Sequence, residues 1–169
     1  ASAAARLRRN DENAEIIIFE RTGYISYANC GEPYYIGGVI EKREKLTVQT
    51  PKGFKERFNV DVRVKSEVTA IDRDAKKVHV KNLETGEEYD ESYDKLILSP
   101  GAKAVKPDVP GADDERIFSL RTIEDTFAIS DFVEQKQPKT AIVIGGGFIG
   151  LEVAENLMER GLKVTVLHR

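Results

Sequence analysis

The stretch that decides the fold runs from Thr140 to Leu167 and reads TAIVIGGGFIGLEVAENLMERGLKVTVL. Its first residues, 140–144, are a continuous apolar run, which is typical of a strand covered on both faces. Residues 151–160 favour a helix, Gly161 can end that helix, and 163–167 are again mostly apolar. A strand, a glycine-rich turn, a helix and a second strand predict a βαβ unit of a Rossmann-like parallel sheet.

The glycine-rich turn has the spacing of a dinucleotide-binding fingerprint. Gly145 allows the tight turn, Gly147 lets a pyrophosphate approach the backbone N–H groups, and Gly150 lets the helix and strand pack closely. A strand precedes this turn, and a helix and a strand follow it. We therefore expect it to bind a dinucleotide, and not to be a purely structural turn.

The end of the second strand bears on the choice between NADH and NADPH. An acidic side chain at this position usually binds a ribose hydroxyl, but this chain has His168 and Arg169. Neutral or cationic donors suit a ribose 2′-phosphate better, so NADPH is favoured. The alternative is that both residues are simply the exposed end of a strand.

The start of the chain predicts a second unit of the same kind. Residues 1–9 are helix formers, and 14–20 are an apolar run that ends in Glu20. Since a helix followed by a buried strand is the second half of a βαβ unit, we expect the first strand and its glycine turn to precede Ala1. Glu20 could then bind the ribose of a second dinucleotide, and FAD with a nicotinamide is the usual pair. The Ala- and Arg-rich opening also matches an organellar transit peptide, a less favoured alternative.

The middle of the chain predicts an inserted β-meander. Residues 60–64 alternate as a half-buried strand does, and 77–89 resemble a hairpin. Residues 96–98 are expected to form a buried strand, and 123–135 a connecting helix that leads into the linker 136–139.

These elements predict an α/β fold with two parts. Residues 1–138 are assigned to a Rossmann-like FAD-binding domain that lacks its first strand and carries the inserted β-meander. Residues 139–169 are assigned to the start of a truncated, Rossmann-like NAD(P)H-binding domain.

Cys30 is the only cysteine of the chain. It lies among glycines and polar residues, and Pro33 is suited to the first turn of a helix. A short helix beginning near Asn29 or Cys30 would lower the pKa of the thiol and make it reactive. The alternative is an inert core cysteine. A single cysteine and two histidines do not favour a zinc site, so no metal is expected.

Three segments resemble the coenzyme A-disulfide reductases, the single-cysteine branch of the FAD-dependent pyridine nucleotide-disulfide oxidoreductases. Residues 25–38, ISYANCGEPYYIGG, look like their active-site segment; 96–102, LILSPGA, like their second FAD motif; and 144–152, IGGGFIGLE, like their NAD(P)H motif. Glu32 stands where this family usually has an apolar residue, and Tyr35 where two-cysteine relatives have a partner cysteine.

The resemblance implies that electrons pass from NAD(P)H through FAD to Cys30, which forms a mixed disulfide with coenzyme A. Ser26 and Asn29 would assist Cys30 and contact the substrate, and Arg6 and Arg9 would contact its phosphates. The remaining cofactor-binding residues expected from the resemblance and the motifs are Glu20, Arg21, Val68, Ser99, Pro100, Gly101, Arg121, Gly145, Gly147, Ile149, Gly150, His168 and Arg169.

The expected function is reduction of coenzyme A disulfide, or of a persulfide or polysulfide, by NAD(P)H. One alternative is an NADH peroxidase or oxidase that cycles Cys30 through a sulfenic acid. Another is a non-catalytic flavoprotein fragment. A net charge of -3 with mixed signs does not suggest nucleic acid or a membrane as partner. A cytoplasmic, homodimeric parent enzyme is expected.

Overall fold

The computed structural model describes residues 1–168. Its helices are α1 (Ser2–Asn10), α2 (Glu32–Ile36), α3 (Pro51–Phe58), α4 (Ile123–Lys136) and α5 (Phe148–Glu159). Its strands are β1 (Ile17–Glu20), β2 (Ser26–Tyr27), β3 (Thr47–Gln49), β4 (Asp61–Val64), β5 (Ser66–Asp72), β6 (Lys77–Asn82), β7 (Glu88–Ser92), β8 (Thr140–Ile144) and β9 (Lys163–Leu167). Short 3-10 turns cover Asn29–Gly31 and Arg43–Leu46.

The chain forms two compact units. The first contains 1–27 and 48–100, and the second contains 28–47 and, of the described residues, 101–168. Cys30 therefore belongs to the same unit as the glycine-rich turn. The assignment of 1–138 and 139–169 to two cofactor domains stays a prediction.

In the first unit, β1 and β4 pair in parallel, with Ile17 opposite Asp61. Apolar side chains of α1 and α3 pack on this pair, with Phe54 only 2% exposed and Val60 fully buried. Strands β5, β6 and β7 form an antiparallel sheet, which confirms the predicted meander.

In the second unit, β8 and β9 pair in parallel, with Thr140 opposite Lys163, which confirms the predicted strand-turn-helix-strand unit. Helix α4 begins at a capping box, in which Thr122 and Asp125 each accept a backbone N–H of the other. Apolar residues of α2, α4 and α5 share one core with β8 and β9.

Two expectations of burial were wrong. Residues 96–98 form no strand, and Ile97 and Leu98 are 63% and 66% exposed. The reason is that a strand needs a hydrogen-bonded neighbour, and none of the described strands pairs with this segment. Strand β8 exists, but only one of its faces is covered, so Ile142 and Ile144 are 66% and 79% exposed.

Among residues 1–168, no helix is both long and apolar enough to cross a membrane.

Candidate functional site

The turn that carries Cys30 is anchored by its neighbours. The Ala28 N–H donates to the Leu46 carbonyl at 2.8 Å, and the Gly31 N–H donates to the Ala28 carbonyl at 2.8 Å. A Cβ at Gly31 would lie 3.0 Å from the fully buried Leu46 side chain, so glycine lets the turn pack closely there. Cys30 itself is exposed. The structure therefore presents the thiol at the surface of a fixed turn.

The predicted helix near Cys30 begins slightly later than expected. Asn29–Gly31 form a 3-10 turn, and α2 starts at Glu32 with Gly31 as its cap and Pro33 in its first turn. Cys30 thus lies outside the α-helix. Asn29 is exposed beside Cys30 in the same turn, whereas Ser26 lies half-buried in β2 of the first unit. Their assignments to catalysis and substrate binding stay predictions.

The position that carries a second cysteine in two-cysteine relatives is used here for packing. The Tyr35 ring meets the Phe127 ring edge-on, with 5.4 Å between centroids. The Arg43 guanidinium lies 4.5 Å above the same Phe127 ring and binds Asp131 at 2.6 Å. The Tyr35 contact holds α2 against α4, and the Arg43 contacts hold the 3-10 turn Arg43–Leu46 against α4. Tyr35 contributes no thiol.

Glu32 is a buried acid that did not stand among the predicted site residues. Its side chain is 6% exposed, and its Oε1 atom is buried without a hydrogen-bond partner among the described residues. Burial raises the pKa of Glu32 to about 7; the positive charge of Arg121 opposes this increase, and Asp125 adds to it. The only sequence signal was a charged residue in a place that is usually apolar.

Arg121 lies beside the predicted FAD segment. Gly101 has φ +71, and a Cβ at Gly101 would lie 3.9 Å from Arg121 Nη2. The guanidinium of Arg121 forms no hydrogen bond or ion pair with any of residues 1–168, although its backbone N–H donates to Asp125 at 3.0 Å. A half-buried cation without a protein acceptor suits an anionic ligand, so Gly101 and Arg121 fit a dinucleotide.

The other predicted residues of the FAD segment have no defined place in a sheet. Ser99 and Pro100 are exposed and lie outside any helix or strand. They end the first unit, directly before Gly101 of the second.

The glycine-rich turn has the geometry that its spacing predicts. Gly145 has φ +115, which favours glycine, and a Cβ at Gly150 would overlap the Gly145 carbonyl oxygen. Apart from Gly147 and its two chain neighbours, none of residues 1–168 lies within 4 Å of the position of a Cβ at Gly147, so this part of the protein leaves the space at the start of α5 open to a phosphate. Ile149, in the first turn of α5, is 58% exposed. These residues fit a dinucleotide.

The structure brings His168 to this turn. Gly146 N–H donates to His168 Nδ1 at 3.3 Å, so the ring stands beside the turn at the end of β9. Arg169, the other residue expected there, lies outside the described residues.

In the first unit, Glu20 and Arg21 at the end of β1 each contact another residue. The Oε1 atom of Glu20 accepts the Thr22 N–H at 2.7 Å, which leaves its Oε2 without a hydrogen-bond partner within residues 1–168. Arg21 pairs with Glu67 at 3.7 Å. Val68, on β5, is 37% exposed.

The arginines of α1 differ in their contacts. Arg6 and Arg9 are exposed, as contacts to a phosphate would require. Arg8, between them, donates to the Phe58 and Asn59 carbonyls at 2.8 Å each, so it joins α1 to the end of α3. Sequence reasoning did not separate this structural arginine from its neighbours.

The helix that follows the glycine-rich turn packs on the helix that follows Cys30. Arg160 Nη1, just after α5, donates to the Ile36 carbonyl at the end of α2 at 3.1 Å. A Cβ at Gly37 would overlap the Asn156 side chain, so glycine is required for this approach. Sequence reasoning missed this contact, because nothing in a single sequence pairs Gly37 with Asn156.

Comparisons with known proteins agree with this geometry. The model of the family described as "Pyridine nucleotide-disulphide oxidoreductase" matches residues 1–169. A protein of Staphylococcus haemolyticus named coenzyme A disulfide reductase is 47% identical over 169 residues. The alignment covers 100% of this chain and 38% of that relative. The chain thus spans much less than the full length of this relative.

Two solved structures have the same fold. The reduced CoADR-RHD of Bacillus anthracis is 54% identical, with a TM-score of 0.95 over 99% of this chain and 30% of that one. The NAD-dependent persulfide reductase of A. fulgidus is 36% identical, with a TM-score of 0.91 over 97% of this chain and 31% of that one.

Proposed function

The chain belongs to the pyridine nucleotide-disulphide oxidoreductase family, and we propose that it is part of a flavin-dependent reductase that uses NAD(P)H to reduce coenzyme A disulfide. A persulfide or polysulfide is the alternative substrate. The names of the Staphylococcus haemolyticus and A. fulgidus relatives support both substrate classes.

The observation that carries this proposal is Cys30, the only thiol of the chain, exposed on an anchored turn in the unit that contains the glycine-rich turn. The Cys30 thiolate attacks one sulfur of the disulfide, and the S–S bond of the substrate breaks. One thiol leaves, and the other half of the substrate stays on Cys30 as a mixed disulfide. Reduction of the mixed disulfide to the Cys30 thiolate and free coenzyme A takes two electrons and one proton, and the chain has no second cysteine to supply the electrons.

FAD and NAD(P)H, the cofactors of this family, supply those two electrons when bound. Gly101 and Arg121 are the residues of the second unit whose geometry suits FAD. The turn from Gly145 to Gly150 suits the pyrophosphate of the nicotinamide cofactor. His168, and not an acidic residue, follows β9 beside this turn, which supports a preference for NADPH.

The proposal extends to the surroundings of the enzyme. The exposed Arg6 and Arg9 would bind the phosphates of coenzyme A. The whole protein would be a homodimer in the cytoplasm, a reducing compartment in which a lone thiol is maintained.

The test is the thiol-exchange step, which needs no flavin. The purified chain is incubated with coenzyme A disulfide, and its mass is measured with and without a reductant. We expect one coenzyme A per chain, removed by the reductant and absent in Cys30→Ser. No adduct on the folded chain would contradict the proposal.

A parallel reaction with hydrogen peroxide tests the oxidase or peroxidase alternative. A sulfenic acid on Cys30, trapped by a selective nucleophile, that forms faster than the coenzyme A adduct would favour that alternative. A purified chain that takes up no FAD would instead support the non-catalytic fragment.

A further inference from the structure

Glu32 and Arg121 are two charged groups that the described protein leaves without hydrogen-bonded partners. The Oε1 atom of Glu32 is buried and unpartnered. The Arg121 guanidinium has no acceptor among residues 1–168, yet its charge acts on Glu32. Buried polar groups in native proteins are nearly always satisfied. We therefore expect Glu32 to hold a proton, Arg121 to bind an anionic ligand, or both.

The other charges around α2 are already occupied or lie elsewhere. Arg43 is paired with Asp131 at 2.6 Å, and Arg160 donates to the far end of α2. Asp125 accepts the backbone N–H groups of the segment before α4. The charged groups that act on Glu32 from the elements packed on α2 are Arg121 and Asp125. Of these, Arg121 supplies the attraction and Asp125 the repulsion.

Glu124 does not neutralise Arg121. It lies in the first turn of α4, and its Oε2 atom is also buried without a hydrogen-bond partner among the described residues. The negative charge of Glu32 is attracted to Arg121, and it exists only when Glu32 has lost its proton.

The space between Arg121 and Gly101 is the place for an anion. Nη2 points to Gly101, at 3.9 Å from the position of a Cβ, and Gly101 lacks the side chain that would fill this space. A ligand phosphate or a carboxylate there would share the guanidinium with Glu32. Binding of the anion and ionisation of Glu32 then oppose each other by linkage.

We infer that Glu32 is a positioning residue for Arg121, and that an anionic dinucleotide binds against Gly101 more tightly when Glu32 carries its proton. This inference rests on the proposed function, because FAD is the dinucleotide expected there. Glu32 has no contact with the reacting sulfur in this role. Its effect is on affinity and on the pH dependence of affinity.

The experiment measures FAD affinity by the change in flavin fluorescence, at about pH 6 and about pH 8 and constant ionic strength. Across several ångströms, one charge changes the affinity by roughly two- to tenfold. We expect the wild type to bind FAD weaker by this factor at the higher pH. Glu32→Gln, which mimics the protonated acid, is expected to bind equally at both. Glu124→Gln is the matched control and should keep the pH dependence.

Titration of the Glu32 carboxyl by NMR in the FAD-free chain separates this inference from the proposed function. Arg121→Gln should raise the Glu32 pKa further, because the opposing positive charge is lost. If the pKa of Glu32 is that of an exposed glutamate and is the same in Arg121→Gln, the inference is wrong. So would FAD binding with the same pH dependence in the wild type and Glu32→Gln. If no variant binds FAD, the proposed function fails for this chain, and the titration alone decides the inference.

Discussion

Replacing Glu32 by Gln should stabilise the folded chain at neutral and alkaline pH and remove part of its pH dependence. Burial raises the Glu32 pKa from 4.5 to about 7, so the folded state keeps the proton over a range in which the unfolded state has lost it. The folded state binds more protons within this range. The contribution of Glu32 to the free energy of unfolding therefore decreases as the pH rises from 4.5 to about 7, and it is constant at higher pH.

The magnitude follows from the same two values. At roughly 1.4 kcal/mol per pH unit, the difference between 4.5 and about 7 gives an upper limit of about 3 kcal/mol. An ionised buried carboxylate usually gains some water by local relaxation, which lowers the expected effect to about 1 to 2 kcal/mol. Gln keeps the shape of the side chain without the charge.

The assay is urea unfolding followed by circular dichroism, at several values between about pH 5 and pH 8. Other acids also titrate in this range, so the informative quantity is the difference between wild type and variant at each pH. Glu134→Gln, an exposed acid on α4, is the matched control and should show no such difference. If Glu32→Gln lost stability at about pH 8, or kept the wild-type slope, the buried acid would not titrate as argued.

Four substitutions test the packing and the phosphate site. Gly150→Ala should cost about 1 to 3 kcal/mol in urea unfolding, because its Cβ overlaps a backbone carbonyl. Gly147→Ala should cost under about 1 kcal/mol but weaken NADPH binding, measured by fluorescence titration; unchanged binding would contradict the phosphate site. Arg8→Ala should cost about 1 to 3 kcal/mol because four main-chain carbonyls lose their donor, and an equal loss of stability in Arg9→Ala would contradict this reason. Gly37→Ala should lower the unfolding free energy by about 1 to 3 kcal/mol through overlap with α5, and a neutral result would contradict the packing of α5 on α2.

The elements that could be predicted from the sequence are those whose pattern is local. The glycine spacing at 145–150 predicts both the turn and the helix after it, because each glycine answers a steric demand within a few residues. The hairpin at 77–89 was equally visible, since alternation and a turn occur in one short segment. Exposure of Cys30 agreed with its polar and glycine-rich surroundings.

The failures concern properties that depend on distant partners. Residues 96–98 have the composition of a buried strand, but a strand is defined by the neighbour that pairs with it, and composition does not reveal whether that neighbour is present. The same limit applies to Arg8, whose acceptors lie about fifty residues away at the end of α3. Nothing nearby distinguishes it from Arg6 or Arg9.

Glu32 replaces a residue that is usually apolar, and its effect depends on residues that are distant in the sequence. A glutamate between Gly31 and Pro33 suggests a solvated charge in the sequence, because acids are rarely buried without a partner. The contacts of α2 with α4 and α5 bury it near Arg121, a cation whose guanidinium has no partner among residues 1–168. An acid in such a place costs stability when it ionises, so its presence is easier to explain by an effect on what Arg121 binds than by an effect on folding.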